Sequence, residues 1–259
     1  MLPEKKRCTC GVGRPIRRSP LERDSKRLFV RPELVEACLE RPAAPAMTEP
    51  TRVIAIRHGE TSWNVDTRIQ GQLDIPLSAN GRWQAERLAA ALKDEPINAI
   101  YASDLARAWE TAQYLGRTQG VLVTREEALR ERSFGDFEGK TFAEIETLLP
   151  EQSMRWRKRD PEFSPSGGES LVALRRRVVA AAERLAARHP GELIALVGHG
   201  GVMDVLYRAA TRLDIQAPRT WTLGNAAINR LLWTPAGFTL VGWADSTHLD
   251  DDAMDETTT

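Results

Sequence analysis

The stretch R-V-I-A-I-R-H-G-E-T-S-W-N, Arg52 to Asn64, decides how this chain is read. Its first half is an apolar, β-branched run of the length that suits a buried parallel strand, and it stops at His58-Gly59. A cation and an imidazole thus stand together just past a strand end, followed by a glycine that lets backbone approach a ligand. One histidine in such a place is equally well explained as a hydrogen-bonded loop residue. A second stretch repeats the arrangement: E-L-I-A-L-V, 192 to 197, is another buried-strand run, it ends at Gly198-His199, and a helix resumes after Gly201. Two imidazoles at equivalent strand ends point to a site, and the first, with its arginine, suits an anionic substrate.

After the first stretch, Asn80-Gly81 breaks the chain before a helix from Arg82 to Lys93, with Trp83, Leu88 and Leu92 on one face, and N-A-I-Y-A resumes a strand. Ser103 or Asp104 can cap a helix running to about Thr118, and V-L-V-T is a further short strand. Glu169 to His189 reads as a long helix that ends at Pro190-Gly191. I-N-R-L-L-W-T and F-T-L-V-G-W flank P-A-G as an antiparallel hairpin at one side of the sheet. The alternation predicts an α/β domain, a mostly parallel sheet with helices on both faces that binds ligands at the carboxyl ends of its strands.

The domain is expected over 47 to 248. Residues 1 to 46, rich in Arg, Pro and acidic residues and ending in R-P-A-A-P-A, read as a mostly disordered extension, and 249 to 259 as an acidic flexible tail. Lys+Arg and Asp+Glu both number 36, which argues against a general polyanion binder such as a nonspecific nucleic-acid protein; any anion site must be local. Cys8, Cys10 and Cys38 all precede the domain, so its core has no disulfide framework or thiolate metal site. With no apolar run of about 20 residues and no secretory apolar stretch, a cytoplasmic protein without a membrane span is expected.

Two further segments carry chemistry. S-D-L-A-R-A-W-E-T-A presents Arg107 one turn into a helix that starts just after a strand end; alone it reads equally as an exposed helical arginine. L-R-E-R-S-F-G-D-F-E-G puts Glu131 between Arg130 and Arg132, where a surface ion pair is the plain alternative. Together with R-H-G, G-G-E-S (167 to 170) and G-H-G-G, these segments occur in the order of the histidine phosphatase superfamily, also called phosphoglycerate mutase-like, which the chain resembles over nearly all of 51 to 245.

That resemblance implies a three-layer α/β/α fold in which His58 is the nucleophile that becomes phosphorylated. It further implies that Arg57, Arg107 and His199 hold the phosphoryl oxygens, that Asn64 can touch the phosphoryl group, and that Glu131 occupies the proton-donor position. Gly200 joins the expected phosphate-binding set, and G-G-E-S receives no catalytic role. No metal or cofactor is expected, and the expected partner is a small phosphate ester, with a homodimer as an open possibility.

Elementary chemistry fits these roles. A phosphate monoester carries nearly two negative charges that repel a nucleophile unless cations screen them, and two arginines with an imidazolium can replace magnesium. His58 must be neutral to attack, whereas His199 is expected to help more when protonated.

The nearest alternative is mutase-type transfer between hydroxyls of a sugar acid, but only 35 residues separate Glu131 from Gly167, and this compactness favours hydrolysis. M-R-W-R-K-R, 154 to 159, reads either as a holder of a second substrate anion or as a solvated helix face. A zinc hydrolase lacks H-E-x-x-H or comparable spacing, and arginines beside the histidines repel a cation. Cys8 to Arg14 fits C-x-x-G-x-x-R of cysteine-dependent phosphatases, yet no apolar strand precedes it. His189 and His248 read as a helix-end cation and a tail residue.

Overall fold

The computed structural model of the chain describes residues 49–250; the expected extension, the Cys8 motif and the tail from 251 onward lie outside them. Six strands form one sheet: β1 (Thr51–Arg57), β2 (Ile97–Ala102), β3 (Val123–Arg125), β4 (Leu193–Gly198), β5 (Ile228–Thr234) and β6 (Gly237–Asp245), in the order β3-β2-β4-β1-β5-β6. The block β3-β2-β4-β1 is parallel, and β5 runs antiparallel to both β1 and β6. The helices are α1 (Ser62–Val65), α2 (Ala79–Ala91), α3 (Ala106–Gln119), α4 (Phe142–Leu148), α5 (Pro150–Arg157), α6 (Leu171–Ala186) and α7 (Gly200–Thr211).

The strand period of two divides the core between the faces of the sheet. Ile54, Ile56, Ile100, Ala195 and Val197 pack with Leu88, Ala108, Ala112 and Leu115 from α2 and α3. Val53, Ala55, Ile194 and Leu196 pack with Leu174, Val178, Val202 and Leu206 from α6 and α7. β4 is buried along its whole length, as its uniformly apolar sequence requires. The result is the three-layer α/β/α sandwich expected from the sequence. A third, smaller cluster of Ile69, Phe137, Ile145 and Phe163 holds the segment between β3 and α6 together.

Several boundaries differ from expectation. α2 begins at Ala79 with Ser78 as its cap, so Asn80 and Gly81 lie in its first turn. Gly81 is required because a Cβ there would stand 2.0 Å from the Glu60 carbonyl oxygen. Trp83 is exposed, and the buried face is Gly81, Ala85, Leu88 and Ala89, with Leu92 beyond. Neither Ser103 nor Asp104 caps α3: the Ala106 N–H is taken by Asp74 Oδ1 at 2.6 Å, while Asp104 pairs with Arg130. β3 starts two residues later than V-L-V-T suggests, and Leu122 points to solvent.

Among the remaining histidines, His189 bonds Glu192 Oε2 at 2.5 Å and the Tyr101 hydroxyl at 2.8 Å. His248, expected as a tail residue, is half-buried with Nε2 3.1 Å from Ala226 O. No helix among the described residues is long and apolar enough to cross a membrane.

Candidate active site

β1 and β4 are hydrogen-bonded neighbours with Arg57 opposite Gly198, so the residues that follow them, His58 and His199, emerge side by side. The His58 N–H donates to Gly198 O at 2.9 Å, and the two imidazoles lie 5.1 Å apart, tilted by 59°. From the other side, Asn225 Nδ2 donates to His58 O at 2.9 Å and Ala226 N to Arg57 O at 2.9 Å. Gly59 allows a close crossing with α2, since a Cβ would come within 2.3 Å of Gly81 O.

His58 is buried, and its Nδ1 lies 2.6 Å from Gly59 O. A carbonyl only accepts, so Nδ1 carries the ring proton, and in the neutral imidazole Nε2 is then the atom with the free lone pair. Burial, then the charges of Arg107 and Arg57, hold the His58 pKa well below 6.5. His199 bonds the Ser103 hydroxyl through Nε2 at 2.8 Å; when Ser103 donates, Nδ1 bears the proton. Its pKa too is held well below 6.5, by burial and then by Arg107, His58, Arg57 and Arg177. Burial and these charges disfavour the protonated form in which His199 is expected to help most, so a bound anion is what would favour it.

Arg107, 1% exposed, is not the solvated helical arginine its position allows. Its Nη1 and Nη2 donate to Leu73 O at 2.8 Å and Gly71 O at 2.7 Å, and burial lowers its pKa to about 10, still cationic at neutral pH. Arg57 Nη1 donates to Leu223 O, and its pKa is lowered, by burial first. Arg57 Nε, Arg107 Nε and His199 Nδ1 are all buried without a hydrogen-bond partner. An unused buried donor costs about 1–3 kcal/mol, so the two guanidinium Nε–H groups, joined by His199 Nδ1 when it bears the proton, suit an anion as their partner.

Glu131 pairs with neither neighbouring arginine. Arg130 turns to Asp104, and Arg132 donates to Glu169 O and Phe163 O. The Glu131 carboxylate instead accepts from Gly201 N through both oxygens, at 3.1 and 3.0 Å, and from Arg132 N at 2.7 Å. Gly200 packs beside it: a Cβ there would lie 3.7 Å from both Arg57 Nε and Glu131 Oε2. Asn64 Oδ1 accepts from Thr61 N at 3.0 Å in the capping box of α1, which turns Asn64 toward the same cavity. Arg57, His58, Asn64, Arg107, Glu131 and Gly200 thus line one cavity, with His199 beside His58.

Residues 53–246 match the family profile of the histidine phosphatase superfamily (branch 1). The chain belongs to that superfamily. Phosphoglycerate mutase-like protein 4 of Arabidopsis thaliana is 38% identical over 203 residues, covering 77% of this chain and 87% of the relative. Glucosyl-3-phosphoglycerate phosphatase of Mycobacterium tuberculosis is 37% identical over 205 residues, covering 74% and 91%. The solved structure of Bacillus stearothermophilus YhfR superposes with a TM-score of 0.72 at 30% identity, covering 77% of this chain and all of that one.

In this histidine phosphatase the site opens into a cavity of about 510 Å³, within the range of small-molecule sites. Its outer wall is aromatic: Phe142 stacks on Trp156 with ring centroids 5.0 Å apart, and Phe134 meets Trp156 edge-on. Ser103, which the sequence suggests only as a helix cap, bonds His199, and Asn225, Arg219 and Asp204, which no local pattern marks, bond His58 O or line the cavity. In the fold Arg155, Arg157 and Arg159 are each ion-paired, with Asp160, Glu146 and Asp204, while Trp156 turns into the cavity. Glu169 of G-G-E-S makes a two-point pair with Arg177, whose Nη1 holds the Ala128 and Arg130 carbonyls and so braces the Glu131 loop.

Proposed function

We propose that this histidine phosphatase hydrolyses a small phosphate monoester through a phosphohistidine on His58. The observation that carries the reading is the bond from His58 Nδ1 to Gly59 O, beside two guanidiniums with unused Nε–H groups. It commits the ring proton to the far nitrogen and leaves Nε2 as the nucleophile.

In the first step Nε2 attacks phosphorus, the P–N bond forms and the ester P–O bond breaks. Glu131 gives a proton to the departing alkoxide, a contribution of roughly 10²–10⁴-fold. Arg57 and Arg107 hold the phosphoryl oxygens, with Asn64 and the backbone at Gly200 as further contacts. A bound dianion supplies the negative charge that His199 otherwise lacks, so protonation of His199 accompanies binding and its imidazolium joins the two arginines. In the second step Glu131 takes a proton from water, the water oxygen bonds phosphorus, and the P–N bond breaks to release inorganic phosphate and restore His58.

Relatives carry both phosphatase and mutase-like names, and the compact segment after Glu131 supports hydrolysis. The test is a panel of phosphate esters, 3-phosphoglycerate with and without 2,3-bisphosphoglycerate included, assayed for released phosphate and for isomerised product. Phosphate release from at least one ester, without isomerisation, is expected; isomerisation exceeding release would make this chain a mutase.

A further inference from the structure

The geometry points to Asp204 as a specificity-determining residue that accepts a hydrogen bond from a hydroxyl group on the leaving group, so that the preferred esters are those of polyols. This assignment rests on the hydrolase reading above.

Asp204 lies on α7 four residues after Gly200, hence one turn along the same helix face, about 6 Å from the residue that packs against Arg57. Its side chain lines the same cavity as Arg57 and His58, and the residue is only 7% exposed. One oxygen is fully engaged: Oδ2 accepts from Arg159 Nη2 at 2.8 Å and Arg208 Nε at 3.0 Å. The other, Oδ1, is buried with no hydrogen-bond partner.

An aspartate paired with two guanidiniums is an acceptor only, so whatever satisfies Oδ1 must donate. A second carboxylate or phosphate on the substrate is thereby refused at this position. An ammonium is disfavoured as well, because Arg159 and Arg208 already flank the Asp204 carboxylate, and Arg57, Arg159 and Arg219 line the same cavity. A neutral hydroxyl remains. Recognition of this kind discriminates strongly: an ester lacking the hydroxyl leaves a buried acceptor unpaired.

The test uses the full chain and three esters of similar length: glycerol 3-phosphate, n-propyl phosphate and 2-aminoethyl phosphate, with p-nitrophenyl phosphate as a general reporter of turnover. The wild type should prefer glycerol 3-phosphate over n-propyl phosphate by at least about tenfold in kcat/KM, chiefly through KM. D204N should bring that ratio close to one. An unchanged ratio in D204N, or no wild-type preference, overturns the assignment, as does a preference for the aminoethyl ester. A purely structural Asp204 would lower all esters together and leave the ratio intact. If D204N does not fold, the wild-type ratios still decide. Failure to turn over any ester, p-nitrophenyl phosphate included, removes the hydrolase reading and this assignment with it.

Discussion

The carboxylate of Glu131 occupies the space where a side chain of Gly201 would stand: a Cβ at that position would be 2.2 Å from Glu131 Oε1. The missing side chain lets the Gly201 N–H, at the start of α7, hold both carboxylate oxygens. G201A should therefore displace Glu131 and cost about 10²-fold in kcat on alkyl phosphates, with circular dichroism unchanged. G200A, whose Cβ meets nothing closer than 3.7 Å, should lose far less. Equal losses in the two variants would show that Glu131 placement is not what Gly201 provides.

Glu131 itself is tested by leaving-group dependence. A proton donor matters in proportion to the basicity of the departing oxygen, so E131Q should slow alkyl phosphates by about 10²–10⁴-fold and p-nitrophenyl phosphate much less. Equal losses on both would take Glu131 out of the acid role.

Arg107 holds two carbonyls, Gly71 O and Leu73 O, while its Nε is buried without a partner, the group proposed to meet the anion. A lysine keeps the charge but not this three-way geometry. R107K should lose about 10²–10³-fold in kcat/KM, which steady-state kinetics will measure; a loss under tenfold would mean that charge alone suffices.

Both buried histidines have pKa values pushed well below 6.5, by burial foremost. In the unfolded chain they bind protons near 6.5, whereas in the folded chain they do not. Their contribution to stability is thus present above pH 6.5 and is lost as pH falls through the folded values. Imidazole NMR titration of the free enzyme should show no midpoint near 6.5 for His58 or His199, and the melting temperature should fall from pH 7 to pH 5. Saturating phosphate should raise the His199 midpoint. A normal midpoint for either free ring would contradict the account.

Much of this was legible in the chain because the decisive features are local. β1 and β4 each carry an apolar run, Val53 to Ile56 and Leu193 to Val197, and each is followed by a histidine next to glycine, so the core strands and the two imidazoles can be read together. Arg107 and Glu131 needed the order of motifs, since each alone had an ordinary surface explanation. What could not be read depends on competition between distant partners. Ser103 and Asp104 have the chemistry of helix caps, but His199 and Arg130 claim them, and Asp74 caps α3 from another loop. The arginines of 155 to 159 look equally available to a substrate, but Arg155 and Arg157 are paired with Asp160 and Glu146, and of the three only Arg159, paired with Asp204, lines the cavity. The environment of His199 is hidden for the same reason: its sequence neighbours are glycines, whereas the burial and the charges that lower its pKa come from the packed fold and from β1, α3 and α6.

The most direct test is to trap the intermediate. Enzyme mixed with ³²P-labelled substrate and quenched in alkali should carry acid-labile label on the peptide containing His58, and H58A should carry none. Label on another residue, or single-turnover hydrolysis of a chiral phosphate ester with inversion at phosphorus, would contradict transfer through His58.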